Sequence, residues 1–210
     1  MDKKETMKTI IKRLRKEYPM PGSTLEFRNP FELLVATILS AQTTDAHVNT
    51  VTQRLFRKYR TVRDYADAPS EQFRKDVSSV NFYNNKARNI QASARTVLEK
   101  FSGSVPKTME ELVMLPGVAR KTANIILYNA FGINEGIAVD THVIRLSGRL
   151  GLTAHSDPKK IELDLMSVTP RQQWGDLTHL LISHGRAVCQ ARKPAHEKCV
   201  LFDLCPSREI

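Results

Sequence analysis

The sequence predicts an all-α protein, and three observations carry that expectation. Nearly every periodic apolar segment repeats at helical spacing, short turns separate the segments, and a single short stretch, GIAV before Asp140, has strand-like character. Met7, Ile10, Ile11, Leu14 and Tyr18 recur with Lys and Arg between them, which predicts an amphipathic first helix. PMPGST ends it and marks a domain boundary. A more buried helix is expected after Pro30, carrying Phe31, Leu34, Val35, Ile38 and Leu39. Further helices are expected over about residues 45–59 and 84–101. Thr108 and Glu111 have capping-box spacing for a short helix ending near Leu115. The next helix spans about residues 120–131, with Gly132 as its stop. Val143, Leu146 and Leu150 mark one more, and Trp174, Leu177, Leu180, Leu181, His184 and Val188 mark the last long one.

Composition narrows the function. The 210 residues suffice for one large domain or two small ones, and 41% hydrophobic content is too apolar for a disordered chain. The longest near-apolar run, FELLVATILSA, is interrupted by Glu32 and is too short to span a bilayer. No apolar stretch with a cleavage-type end follows the N-terminus, so an intracellular protein without a membrane partner is expected. Lys and Arg total 32 against 22 acids, a net charge of +10 that favours a polyanionic partner. The 3 cysteines all fall near the C-terminus, as Cys189, Cys199 and Cys205. An odd, clustered set argues against a disulfide framework and for a metal or cluster site in a reducing compartment.

Two segments carry chemistry on their own terms. In LPGVARKTA (residues 115–123) a short helix meets Pro116-Gly117, turns and restarts near Ala119. Gly117 permits the turn and a close approach of another molecule, and the new helix offers N–H groups and a positive dipole end. Arg120 and Lys121 sit in that first turn against the dipole, which suggests that an anion is expected there; an ordinary helix–helix turn with solvated basic residues would read the same way. A nucleophilic amine must be uncharged, and a helix N-terminus beside Arg120, together with desolvation by a docked ligand, favours that form at Lys121. In IAVDTHV, Asp140 follows an apolar run and precedes a helix, where it is either an N-cap or a carboxylate set against developing positive charge.

LPGVARKTA resembles the helix–hairpin–helix of the endonuclease III family of DNA base-excision glycosylases, and IAVDTHV resembles that family's VDTH motif. The resemblance implies that Gly117, Ala119 and Arg120 lie in a hairpin gripping the DNA backbone, that Lys121 is the nucleophile and that Asp140 is the second catalytic residue. Ala119 stands where the family has a second Gly. SAQTTDAHV (40–48) resembles the segment in which Gln42 fills the hole left by an extruded base and Asp45 lines the base pocket. VNFYNNKARNI (80–90) resembles the intercalating loop, with Phe82 and Tyr83 as flat wedges and Asn81 where Gly is usual. Lys86 and Arg88 are expected near phosphate or on a solvated face. Helix-end packing, an N-cap and a core contact are the bland alternatives for Gln42, Asp45 and the Phe82–Tyr83 pair.

The tail resembles the family's C-x6-C-x2-C-x5-C site for a [4Fe–4S] cluster, with Cys189, Cys199 and Cys205 at three places and His196 at the second. Imidazole can ligate cluster iron, and three sulfurs with one His would also suit zinc; a tail without metal is the remaining alternative. Arg192 and Lys193 resemble the loop that contacts DNA phosphates. By resemblance the fold is two helical domains, 23–134 and 1–22 plus 135–210, with a DNA-binding cleft between them. The implied activity is a bifunctional glycosylase and abasic-site lyase of base-excision DNA repair. It acts as a monomer on duplex DNA containing oxidised pyrimidines or abasic sites. The rival expectations are a thymine or uracil mismatch glycosylase and a catalytically silent DNA-binding module.

Overall fold

The computed structural model describes residues 2–208 and is all-helical among them. The chain divides into two compact units, one of residues 23–133 and one of residues 1–22 with 134–210. No helix of the described residues is long and apolar enough to cross a membrane.

The first unit holds α2 (Pro30–Ser40), α3 (Asp45–Lys58), α4 (Val62–Asp67), α5 (Ser70–Asp76), α6 (Tyr83–Phe101), α7 (Met109–Leu112) and α8 (Arg120–Phe131). Helix α2 starts at Pro30 because Asn29 accepts the Glu32 amide at 2.9 Å and proline needs no amide partner at a helix start. Every residue from Phe31 to Leu39 on it is buried, so it forms the centre of the unit. Glu32 survives there because Arg28 meets its carboxylate at 2.7 Å through Nη2 and again through its own amide. Phe31, Tyr59, Tyr65 and Phe73 pack ring against ring beside it. Helices α4 and α5 are short pieces absent from the periodicity reading. A full capping box between Thr61 and Asp64 starts α4. At α7 only half a box forms: Thr108 accepts the Glu111 amide, but its hydroxyl then donates to the Glu111 carboxylate.

The second unit holds α1 (Lys3–Glu17), α9 (Thr141–Arg149), α10 (Pro158–Val168) and α11 (Trp174–Ala187), then a tail of 3-10 turns. Met7, Ile10, Ile11 and Leu14 of α1 pack with Leu146, Ile161, Leu177 and Leu180, each worth roughly 2 kcal/mol of apolar burial. Arg13 ties α1 to the tail through Val200 O at 3.0 Å and a forked pair with Asp203. The strand-like GIAV stretch forms neither helix nor strand. It is buried, and the Ala138 amide donates to Thr178 Oγ1 at 3.1 Å in place of a sheet partner.

Candidate active site and cluster loop

The hairpin is built mainly by backbone. After α7 the chain closes two tight turns, Leu115 N to Leu112 O and Val118 N to Leu115 O, each at 3.0 Å. Gly117 has φ +83°, and a Cβ there would lie 2.9 Å from Asn89 Nδ2, so both conformation and space demand glycine. Helix α6 supports the turn from below, with Ser93 Oγ donating to Pro116 O at 2.7 Å. Ala119 is the N-cap of α8 at φ −90° and ψ 168°, ordinary extended backbone, so alanine fits where the family has glycine. It brings no capping side chain, which leaves the Lys121 and Thr122 amides open to an outside acceptor. Lys121 is exposed in this first turn, and Arg120 precedes it.

Two other segments of the same unit present exposed tips. Gln42 follows the end of α2 with φ 54°, and Phe82 precedes α6 with φ 56°. Phe82 is 63% exposed. Tyr83, expected to wedge beside it, instead leans on the hydrophobic core, because it begins a helix whose inner face is apolar. Thr44, not Asp45, caps α3; the Asp45 carboxylate accepts from the Thr24 hydroxyl. Lys86, expected near phosphate or in solvent, is buried and bonded to the carbonyls of Leu39 and Ala41. Arg88 remains exposed and donates to Asn85 Oδ1 at 2.9 Å.

Asp140 lies in the other unit. It is the N-cap of α9, its Oδ1 accepting the Val143 amide at 2.8 Å, and it follows buried Ile137, Ala138 and Val139. The cap fixes one oxygen and leaves the other for a second partner. Burial pushes the pKa of neighbouring His142 down, partly opposed by Asp140.

Beyond α11 the backbone loses its helical ladder. Cys189 N still reaches His184 O at 2.8 Å, and Ala195 N returns to Val188 O at 2.9 Å, which closes a loop holding exposed Arg192 and Lys193. Cys189, His196, Cys199 and Cys205 line one cavity. Among the described residues, no group of three or more His, Cys, Asp or Glu side chains is set to hold a metal ion. Three polar neighbours went unnoticed in the sequence. Arg149 Nη1 donates to Cys189 Sγ at 3.2 Å and to Gln190 O at 2.8 Å. Arg145 Nε donates to Cys189 O at 3.1 Å. His184 Nε2 lies 3.5 Å from Cys199 Sγ, with Tyr18 OH 3.2 Å from its other ring nitrogen. Their only signal was helical spacing, Arg145 and Arg149 falling four apart on α9. Burial pushes the Cys199 and Cys205 thiols up, a cost that a cationic metal core reverses. The donor set therefore fits a metal–sulfur group.

Residues 35–171 match the model of the HhH-GPD superfamily of base excision DNA repair proteins, and residues 189–205 match the iron–sulfur binding domain of endonuclease III. Endonuclease III of Synechocystis sp. is 49% identical, the match covering 99% of this chain and 94% of that one. The chain belongs to the endonuclease III family. A solved structure described as a trapped endonuclease III–DNA covalent intermediate superimposes with a TM-score of 0.93 and 44% identity, covering 99% of this chain and 98% of that one. A thermostable thymine-DNA glycosylase follows at a TM-score of 0.86 and 25% identity, covering 99% and 97%. The first family match contains Gln42, Phe82, the hairpin and Asp140. The iron–sulfur match begins on Cys189 and ends on Cys205.

Proposed function

We infer that this endonuclease III family enzyme removes oxidised pyrimidines from duplex DNA and cleaves the abasic site it makes, with Lys121 as nucleophile. The observation that carries the reading is an exposed lysine in the first turn of an uncapped helix, directly behind a turn that only glycine fits. Phosphate oxygens are the natural acceptors for the open amides, which brings the Lys121 amine to the sugar beside them.

The reaction starts with a nucleotide turned out of the stack, Phe82 entering the gap and Gln42 offering its amide to the unpaired base left behind. The uncharged Lys121 Nζ attacks C1′ while the C1′–N bond breaks, and the base departs with its electron pair and takes up a proton. Positive charge grows on the sugar as that bond stretches, and the Asp140 carboxylate offsets it. Ring opening leaves an imine between Lys121 and C1′. Loss of a proton from C2′ then expels the 3′ phosphate, and water releases the lysine. Serine or tyrosine at position 121 would form no imine and cleave no strand.

Cys189, His196, Cys199 and Cys205 would hold a [4Fe–4S] cluster, with the imidazole in place of one thiolate. Three thiols and one imidazole on a common cavity are donor types that a cluster accepts, and the iron–sulfur match over residues 189–205 favours it over a single zinc. Its role is structural: it ties down the tail so that Arg192 and Lys193 face phosphate. The two compact units then serve as two domains, one bringing Lys121 and the other Asp140 with the cluster loop.

Borohydride trapping tests this reading. The native protein should form a covalent adduct with a duplex containing an oxidised pyrimidine, and Lys121→Gln should bind that duplex but neither trap nor cleave it. Undiminished trapping by the variant would reassign the nucleophile. A native protein that binds without ever trapping would be a silent module, and preference for a mispaired thymine would move the substrate to the mismatch class.

A further inference from the structure

Three residues other than glycine have positive φ among the described residues: Gln42, Phe82 and Ser102. Ser102 is the C-cap of α6, an ordinary place for left-handed backbone. The other two are the tips of the base-probing and wedge loops. A left-handed backbone is disfavoured for a residue with a full side chain, and it persists only where the surroundings impose it.

Here the two loops impose it on each other. Asn81 Nδ2 donates to Gln42 O at 2.6 Å. Lys86, whose amide bonds Phe82 O at 3.2 Å, sends its ammonium back to Leu39 O at 2.7 Å, Ala41 O at 2.6 Å and Thr43 Oγ1 at 3.1 Å. All three donors of the ammonium are thus used on the chain that carries Gln42. The charge also sits at the C-terminal end of α2, where the helix dipole favours a cation. A third tie joins His47 Nε2 to Ser79 O at 3.0 Å. Residues 39–47 and 79–86 are therefore a cross-linked pair of loops, yet Gln42 and Phe82 themselves are exposed.

We propose that Gln42 and Phe82 form a single two-pronged probe whose spacing and direction are set before DNA arrives, with Asn81 and Lys86 as its positioning residues. The proposal rests on the roles given above to Gln42 and Phe82. Ordering two loops during binding would cost conformational entropy, and here the fold has met that cost beforehand. The Asn81 tie is this chain's own, since the glycine usual in the family at that place has no side chain to donate.

The test compares two reactions of the full-length protein: single-turnover removal of an oxidised pyrimidine, and borohydride trapping on a duplex with a preformed abasic site. Both present an unpaired opposite base to Gln42, but only the first must also pull a stacked, paired base out of the duplex, so it depends more heavily on the probe. Asn81 is exposed, so Asn81→Ala should fold with an unchanged melting temperature. It should lower base removal relative to abasic-site trapping by about tenfold, the scale of a small misplacement. Gln42→Ala should lower that ratio at least as far, and adding Asn81→Ala to it should lower it little further, because the prong being positioned is gone. Equal loss of both reactions in Asn81→Ala would make the contact mere packing and overturn the proposal. So would a normal ratio in Asn81→Ala alongside a depressed one in Gln42→Ala, which leaves the reading of Gln42 intact. A normal ratio in Gln42→Ala would instead remove the earlier reading, and the probe with it. Lys86→Met supplies the second variant: its melting temperature should fall, and its ratio should fall below that of Asn81→Ala. A lower melting temperature with a native ratio would limit Lys86 to stability.

Discussion

The hairpin and the tail are both short segments that present an exposed lysine, Lys121 and Lys193, and they reach their shapes by opposite means. From Leu112 to Ala123 the chain is held by its own backbone bonds, one required glycine and a serine on α6. From Cys189 to Cys205 the regular ladder is gone: Arg145 and Arg149 of α9 hold residues 189–191, His184 of α11 meets Cys199, and two 3-10 turns follow beside a sulfur-lined cavity. A segment closed by backbone bonds has its geometry as soon as its helices pack. A segment whose shape depends on a bound cluster would have it only when the metal is present. The difference predicts that damage to the two will differ in kind as well as size.

The largest effect should come from stripping iron. As isolated, the protein should absorb broadly near 400 nm, as expected of the family's cluster. Removing the metal with a chelator should abolish that band and expose the tail after Val188 to protease. It should also flatten the salt dependence of DNA binding by a log–log slope of about 2, because Arg192 and Lys193 lose their fixed places. His196→Cys should keep the band and lower the reduction potential, since a fourth thiolate adds negative charge to the cluster. A colourless native protein with stoichiometric zinc would end the cluster assignment, and a metal-free protein with a protected tail would erase the contrast with the hairpin.

A smaller effect is expected at the hairpin. Gly117→Ala forces a Cβ to within 2.9 Å of Asn89 Nδ2 at a φ of +83°. Destabilisation of about 1–3 kcal/mol should follow, with weaker DNA binding and normal iron content. Adding Asn89→Ala removes the contacts with Nδ2 and Cγ but keeps the Asn89 Cβ 3.0 Å away, so it should recover only part of the clash and none of the φ strain. Native stability in the single variant would mean that the turn can relax, and that its geometry is less backbone-determined than the contacts indicate.

The smallest effect sharpens the comparison by titration. His179 on α11 is buried, which pushes its pKa below 6.5 against the opposing pull of Asp176 and Asp140. The unfolded chain therefore takes up the proton more readily as pH falls through 6.5. Stability present above pH 6.5 is lost below it, and the loss belongs to the unit carrying the tail. Urea midpoints should fall between pH 7 and pH 5 in the native protein and fall less in His179→Gln. Identical slopes would show that the imidazole is not protonated selectively in the unfolded chain.

Much of the architecture was legible in the chain because it is local. The first helix, the buried helix after Pro30 and the 120–131 helix with its Gly132 stop follow from apolar spacing and terminators a few residues apart. Helices α4 and α5 escaped because 6 or 7 residues hold too little of a helical period to register. Helix α10 had a signal that went unused, Asp157 at the cap and Pro158 at the first position. The residue types of the site were likewise readable, since glycine at a turn, lysine behind it and clustered cysteines each carry a chemistry wherever they stand.

Tertiary structure alone decided which partner each of those residues meets. Spacing could not separate Phe82 from Tyr83, because which of two adjacent aromatics turns outward depends on the core that α6 covers. Lys86 looks like a surface charge in the sequence, and only the arrival of the α2 carbonyls, from residues 45–47 positions away in the chain, turns it into a buried tie. Arg149 and His184 reach the cysteines for the same reason. Periodicity and motif chemistry act over a few residues and survive in a linear string. Burial and hydrogen-bond pairing are properties of residues brought together by folding, and no local pattern records them.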